Sequence, residues 1–585
     1  MNAPLNQEAS PTDEQRHEML RTALERAGRL KDYDYIVRYL SPPPDITNFA
    51  KPGEMKGIKI GILGGGLAGM CSAFELRKLG ADITVLEASE TEIGGRVSTY
   101  YFNEEGSLYG ELGAMRIPIS HETTWHYINL FQLDTFSLTA PQRNNFLYVH
   151  QTRLRTAQSV QEYIYPKFAL TEQEAATPWN ELNEYAMEYR MRQLTPEVRA
   201  ELIQILPEYS PEFIPLMNMS LRQNYEGLGL SQGAIELISG VDPAAGASLH
   251  ISYDEIAGDD YSLDYRNTYR IAGGNIYLPY ALYQSLTSAL PKQYSGIPMG
   301  HLGTVDYRAG HRVTGIYRSN YRDKVIVKYS NEVGLDAADI YDYVICTLPL
   351  SVLRTIEIRP YFTNRKMQAI REYHYIDAQK TLFLCNKRFW ERNTDYGAMH
   401  GGISFTDLPI QSIIYPSDHN YCISASEAAG NTVQGNFSSC SSEVPGVLTA
   451  SYSLTQNSVR VGGLEEPQRF DLIRQNVEEV HGLPRGFLNS IVDRSVTAHW
   501  NTAPHFLGAL SYTLPGQKQL FTYDLLQPEY QGRVYLAGEH ASAKHGWIQG
   551  ALYSGKDAAN RLAQHFHTRF LKDELQEFAS AGRKN

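Results

Sequence analysis

Cysteine is scarce in this 585-residue chain: five in all, Cys71, Cys346, Cys385, Cys422 and Cys440, with no CxxC pair. An odd count without paired spacing argues against a disulfide scaffold and against a structural zinc site. Long apolar runs are missing too, so no membrane-spanning helix is predicted. The first thirty residues include DEQRHEMLRTALERAGRLKD and hold no apolar core of a leader peptide. There is no long basic run, and the formal net charge is −12, which sets nucleic acid aside as a partner. HExxH is absent, and His540 and His545 have no carboxylate pair at ligand spacing, so no metal is expected. These absences together predict a cytoplasmic protein with neither a membrane nor a nucleic-acid partner.

What remains is an ordinary globular composition, 42% hydrophobic and 20% charged, with enough length for two to four domains. Residues 12–40 look helical, with Leu20, Leu24, Leu30 and Ile36 as candidate buried positions. The prolines of SPPPDITNF end that helix. IKIGILGGGLAGMCSAFELRKLGADITVLEAS then reads as strand, turn, helix, strand. WNELNEYAMEYRMRQL, TPEVRAELIQIL and SQGAIELISG are helical patterns between Pro and Gly, so 122–260 is expected to be a helical insertion. Alternation returns in HRVTGIYR, KVIVKYS and DYVICTLPL. RVYLAGEH and a helix from about 547 to 571 close the chain. The small polar stretch 427–444 is expected to be a long surface loop.

Gly64-x-Gly66-x-x-Gly69 follows an apolar strand and opens a helix. Gly64 permits a tight turn, Gly66 lets backbone approach a pyrophosphate, and Gly69 lets helix pack on strand. The helix N-terminus then faces phosphate. The second strand ends at Glu87, where a carboxylate accepts from ribose hydroxyls, as in FAD or NAD. Ile93-Gly94-Gly95-Arg96-Val97 offers a second close approach to a diphosphate, with a guanidinium fork. Gly229-Leu230-Ser231-Gln232-Gly233 matches the GxSxG elbow of hydrolases, but NYEGLGL before it is a poor strand. Ser231 is expected to cap the helix AIELI instead.

GGGLAG, LEAS…GGRV, GELGAMRIP, AGGNIYLP, CTLPLSVL, QKTLFLCNKRFWE, ISFTDLP, TAHWN and YLAGEHASAKHGWIQGALYSG together carry a resemblance over roughly 55–570. The chain resembles the FAD-dependent L-amino acid oxidases of the flavin amine oxidase superfamily. The resemblance implies an α/β fold: a Rossmann-like FAD-binding domain of the flavin amine oxidase type, an α+β substrate-binding domain and a helical insertion. It divides the chain into an N-terminal helical arm packing on the substrate domain (1–55), FAD-binding parts (56–121, 301–358 and 501–570), a helical domain (122–260), substrate-binding parts (261–300 and 359–500) and a charged tail (571–585).

The resemblance also implies roles. Arg116, in GAMRIP, would clamp the substrate α-carboxylate; a planar fork pairs bidentately with a carboxylate, and a dry pocket strengthens the pairing. Tyr452 would complete the clamp. Gly546 would accept from the amine and Trp547 would wall the pocket. Lys380 would reach flavin N5 through a water. Trp500 would pack on the flavin ring, and Leu510 would line the side-chain pocket. Val313 would present backbone to adenine, and Glu539 would bind the ribityl chain. Leu67, Ala68, Ala88, Gly95, Gly113, Ala114, Met115, Gly538, Ile548 and Ala551 fall at further cofactor positions. In the venom enzymes a histidine stands near the pocket; YSLDYRNTYRIAGG has none, and Tyr265 or Tyr269 is expected there instead.

The implied reaction is oxidation of an L-amino acid, bulky or aromatic side chains included. It would proceed by hydride transfer from Cα to FAD N5 and yield 2-oxo acid, ammonia and hydrogen peroxide. Dioxygen is the expected acceptor and a homodimer the expected assembly. An amino acid monooxygenase, a dehydrogenase and a non-catalytic flavin-binding protein are the alternatives.

Overall fold

A computed structural model describes residues 10–320, 323–331, 333–392, 398–419 and 441–581. The apolar run KIGIL forms the strand Lys59–Leu63, with every residue after Lys59 buried. Asp82–Leu86 and Tyr343–Cys346 flank it in parallel. Thr304–Arg308 and Val534–Leu536 complete the sheet at its two edges. In chain order the five strands therefore lie 3-2-1-4-5. That is the order of a dinucleotide-binding half, with its crevice at the carboxyl ends of the strands.

The helix Leu67–Arg77 is buried at all eleven positions, its polar ones included. Burial on every side requires partners for those groups. Ser72 Oγ donates to the Gly555 carbonyl at 2.8 Å. Glu75 takes Lys78 at 2.9 Å and Lys556 at 3.1 Å. Arg77 donates to the Ser285, Leu286 and Ser288 carbonyls. The covering elements are the long helix Ile548–Ala581 and the helix Tyr277–Thr287.

A seven-stranded sheet carries the other half of the molecule. Its order is Val492–His499, Ala378–Cys385, Gly446–Leu454, Ser412–Ile414, Ile403–Thr406, Phe146–Val149 and Thr152–Arg155. The fold is thus the α/β architecture expected, a dinucleotide-binding half with an α+β second domain and added helices.

Two expectations need correction. The stretch 122–260 is not wholly helical, because FLYVHQTRLR makes a hairpin whose strands extend the seven-stranded sheet. Its turn places His150 and Gln151 at φ 46° and 60°. Leu30 is 48% exposed while Leu20, Leu24 and Ile36 are buried: the helix stops at Gly28 (φ 66°), and a short 3-10 turn rotates Leu30 outward. The N-terminal arm meets both parts of the chain it borders: Arg16 donates to the Ile119 carbonyl (2.7 Å) and Arg29 to the Tyr261 carbonyl (2.9 Å), the latter within the stretch read as substrate-binding. The charged tail, expected to be helical, continues the last helix to Ala581.

Ser231 caps its helix, with Oγ accepting from Ala234 N–H at 3.1 Å, as the absence of an elbow strand predicts. Cys71, Cys346 and Cys385 are buried free thiols. Cys422, Cys440 and most of the loop expected at 427–444 lie outside the described residues.

Candidate active site

A cavity of about 730 Å³ runs from the carboxyl ends of the parallel strands to the seven-stranded sheet. Its nucleotide end is built from the glycine turn. Gly64 has φ 105°, a conformation that a side chain strains against. A Cβ on Gly66 would meet no protein atom within 4 Å, so the turn is open on its cavity side. A Cβ on Gly69 would lie 2.0 Å from the Gly64 carbonyl; this glycine serves helix–strand packing and does not line the cavity. Leu67 and Ala68 open the helix at the cavity wall, where its first N–H groups favour an anion.

Glu87 stands at the end of the second strand and accepts from the Gly65 N–H at 2.7 Å and the Ser89 N–H at 2.8 Å. Burial raises its pKa, and those donors pull the other way. Across the cavity, Arg96 pairs with Glu539 at 2.8 Å and donates to the Ala509 carbonyl at 3.0 Å. Glu539 also accepts from Ser511 Oγ at 2.6 Å and from the Gly546 N–H at 3.0 Å. Burial works against its charge, but Arg96, His540 and His545 outweigh it and hold the carboxyl at about 2. Glu539 therefore spends its oxygens on Arg96 and the Gly546 turn, tying two distant segments together. Ala88, Gly95, Gly113, Ala114, Met115, Val313, Gly538, Ile548 and Ala551 complete this end.

This chemistry fits a dinucleotide: an open glycine turn at a helix N-terminus, an acidic strand end, and a fixed guanidinium. The volume fits as well, within the range of small-molecule and cofactor sites.

The other end gathers residues far apart in sequence. Lys380 and Tyr452 sit directly opposite each other on paired antiparallel strands. The Lys380 ammonium lies 4.7 Å from the Tyr452 ring centroid and donates to the Gly113 carbonyl at 2.5 Å. Burial and then the Arg116 charge push its pKa down to about 7. Among the described residues, Arg116 makes no hydrogen bond and no ion pair, although it lines the cavity. Burial raises the Tyr452 hydroxyl, so it stays protonated near neutral pH.

Gly546 has φ 72°, and a Cβ there would press on Leu510 Cδ1 at 3.1 Å. Trp547 follows, with its indole N–H on Asp259 at 3.1 Å. Trp500 donates to the Leu112 carbonyl at 3.2 Å. Tyr265 is 61% exposed. It lies on the cavity wall and is tilted against Trp547 at 5.6 Å. Tyr269 is instead buried against Trp125. Of the candidates read from sequence, all but Gly69 and Tyr269 line this one cavity.

Behind Trp547 lies a polar network that the sequence did not reveal. Asp259 also takes Lys544 at 2.8 Å and the Tyr512 hydroxyl at 2.8 Å. Lys544 bridges to Asp264, which meets His121 Nε2 at 3.1 Å. Burial raises the Asp259 pKa and lowers that of His121. Of these residues Lys544 alone falls in a motif quoted above, and its carboxylate partners join it only through the fold. Among the described residues, no group of His, Cys, Asp and Glu could hold a metal.

The family described as flavin containing amine oxidoreductase matches residues 67–563. An L-amino-acid oxidase of Notechis scutatus scutatus is 27% identical over 518 residues, 88% of this chain and 89% of that protein. One of Bungarus fasciatus is 26% identical and covers 93% of each. Among solved structures, cyclohexylamine oxidase from Brevibacterium oxydans IH-35A superposes with a TM-score of 0.60 at 16% identity. That match covers 87% of this chain and 99% of the other. A putrescine oxidase superposes at 0.58 with 15% identity, covering 86% and 98%.

Proposed function

Since the chain belongs to the flavin containing amine oxidoreductases and depends on FAD, we propose that its substrate is an L-α-amino acid and its reaction oxidative deamination. The observation that carries this reading is Arg116. A guanidinium that lines the cavity and has no ion pair among the described residues suits a ligand that brings a carboxylate. A plain amine would leave that charge unmatched. The names of the relatives in Notechis and Bungarus point the same way.

Gly66, Leu67, Glu87, Arg96 and the strand end at Glu539 would hold FAD. Bound FAD supplies the two-electron acceptor, reoxidised by dioxygen. The chain's own residues bind and orient. Arg116 grips the carboxylate through two parallel N–H donors, and the neutral Tyr452 hydroxyl adds a third. The Gly546 carbonyl accepts from the amine. Leu510, Trp547 and Tyr265 exclude water and leave room for a large side chain. Most of the rate enhancement on this reading comes from positioning. Lys380, poised near neutrality, can hold a proton or release it beside the Gly113 carbonyl. The homodimer and the cytoplasmic location remain part of the same proposal, open to light scattering and fractionation.

The test is anaerobic mixing of the purified flavoprotein with L- and D-amino acids and simple amines. The expected result is bleaching of the flavin band by L-amino acids, with peroxide and 2-oxo acid after air is admitted. Bleaching by amines alone would refute the proposal. An amide product with loss of CO2 would replace it with a monooxygenase.

A further inference from the structure

Beyond the clamp, the cavity has a second set of lining residues, Tyr109 from a hairpin, Arg270 from the strand Thr268–Ile271, and Gln411, Ser417, Asp418 and Thr449 from the seven-stranded sheet and its loops. Arg270 is the unexplained member. Its strand, Thr268–Ile271, pairs antiparallel with Ile117–Pro118, Ile117 facing Tyr269 and Pro118 facing Thr268. Arg116 immediately precedes that ladder, and Arg270 follows its last paired residue, Tyr269. Both line the cavity.

The Arg270 guanidinium lies 5.1 Å from the Tyr109 ring and 4.9 Å from the Phe136 ring. Its Nε is buried without a hydrogen-bond partner. Burial works against its charge, and the Tyr109 hydroxyl is first among the groups that favour it, followed by the Glu111 and Asp418 carboxylates, both of which are committed elsewhere. Glu111 accepts from the Asn275 N–H and from Thr99 Oγ1, each at 2.8 Å. Asp418 is held in a fork by Arg388 at 2.9 and 2.7 Å. Among the described residues, Arg116, Arg270 and Lys380 thus share one cavity, and none of the three has an ion pair. A single α-carboxylate on Arg116 answers only one of them.

We propose that Arg270 is a second carboxylate dock, in the cavity of the Arg116 clamp. It holds the carboxylate of a 2-amino or 2-oxo acid, the incoming substrate or the departing product. This inference rests on the amino acid reading above.

Two measurements on the holoenzyme separate the sources. One is stopped-flow reduction by L-leucine without oxygen. The other is titration of the oxidised enzyme with 4-methyl-2-oxopentanoate, followed in the flavin spectrum. Arg270→Met is expected to keep its flavin and its limiting reduction rate. If the dock serves substrate, the second-order rate constant of reduction falls roughly tenfold; if it serves product, the oxo acid binds roughly tenfold more weakly. Arg270→Lys should recover most of either loss, since it restores the charge. Unchanged values in both experiments, with a normal Tm, overturn the proposal. So does a loss that Arg270→Lys fails to recover, which marks a packing role. Should Arg270→Met lower the Tm, Arg270→Gln carries the same test. If no L-amino acid reduces even the wild type, the functional reading falls, while the titration still decides whether Arg270 binds a carboxylate.

Discussion

Replacing Arg116 with Met should leave two separate marks. The first is affinity. Arg116 has no hydrogen bond or ion pair among the described residues, so the substitution breaks no protein contact of its charge. What it removes is a bidentate grip on the ligand. Hydrogen bonds to charged groups contribute about 1.5–3 kcal/mol each, and two imply about 3–4 kcal/mol after some loss to remaining contacts. The dissociation constant for an amino acid should then rise roughly 10²- to 10³-fold. The second mark is electrostatic. After burial, the Arg116 charge is the largest influence lowering the Lys380 pKa to about 7. Removing a like charge favours the protonated lysine, so that ionisation must move upward. The assay is anaerobic flavin reduction as a function of amino acid concentration from pH 6 to 10. Weakened binding with an unmoved ionisation would mean that Arg116 acts at a distance from Lys380 and that the geometry is misread. Unchanged binding would remove Arg116 from the clamp altogether.

Further outcomes follow from the same site. Lys380→Met should abolish the ionisation near pH 7 in the reduction profile. It should also raise the Tm most below pH 7. There the wild type carries a buried cation that its unfolded chain hydrates freely, a penalty relieved as pH climbs from about 7 to the ordinary lysine range; an equal Tm at pH 6 would refute this. Glu539→Gln should release FAD and destabilise the fold by about 3–5 kcal/mol, because Arg96 is left without its partner; flavin content and urea unfolding measure both. In the wild type, the stability due to Glu539 should be complete above the ordinary glutamate pKa and be lost as pH falls from there to about 2. Gly66→Val should fold without flavin, since its side chain meets only the cavity, while Gly69→Val should fail to fold, since its Cβ strikes the Gly64 carbonyl. A flavin-loaded Gly66→Val would place the cofactor turn elsewhere.

The local part of this protein was written in its sequence. KIGIL, the glycine spacing and ADITVLE specify a strand, a tight turn, a buried helix and a second strand through contacts within about thirty residues, so periodicity and turn chemistry sufficed. Ser231 could be recognised as a cap for the same reason. Leu30 was misplaced because one left-handed glycine, Gly28, shifts the helical phase. The hairpin at His150 escaped notice because its strands are stabilised by a sheet strand 258 positions further on. The clamp residues were recognisable by resemblance. Their grouping, however, is a product of the fold: Lys380 meets Tyr452 across one ladder, and Arg116 enters the strand that pairs with the strand of Arg270. Nothing in local sequence says that Arg270 lacks a carboxylate, or that Asp259 and Lys544 meet behind Trp547. Charge pairing inside a protein depends on which strands and helices are brought together, and on which carboxylates are already taken. Only the tertiary structure decides both.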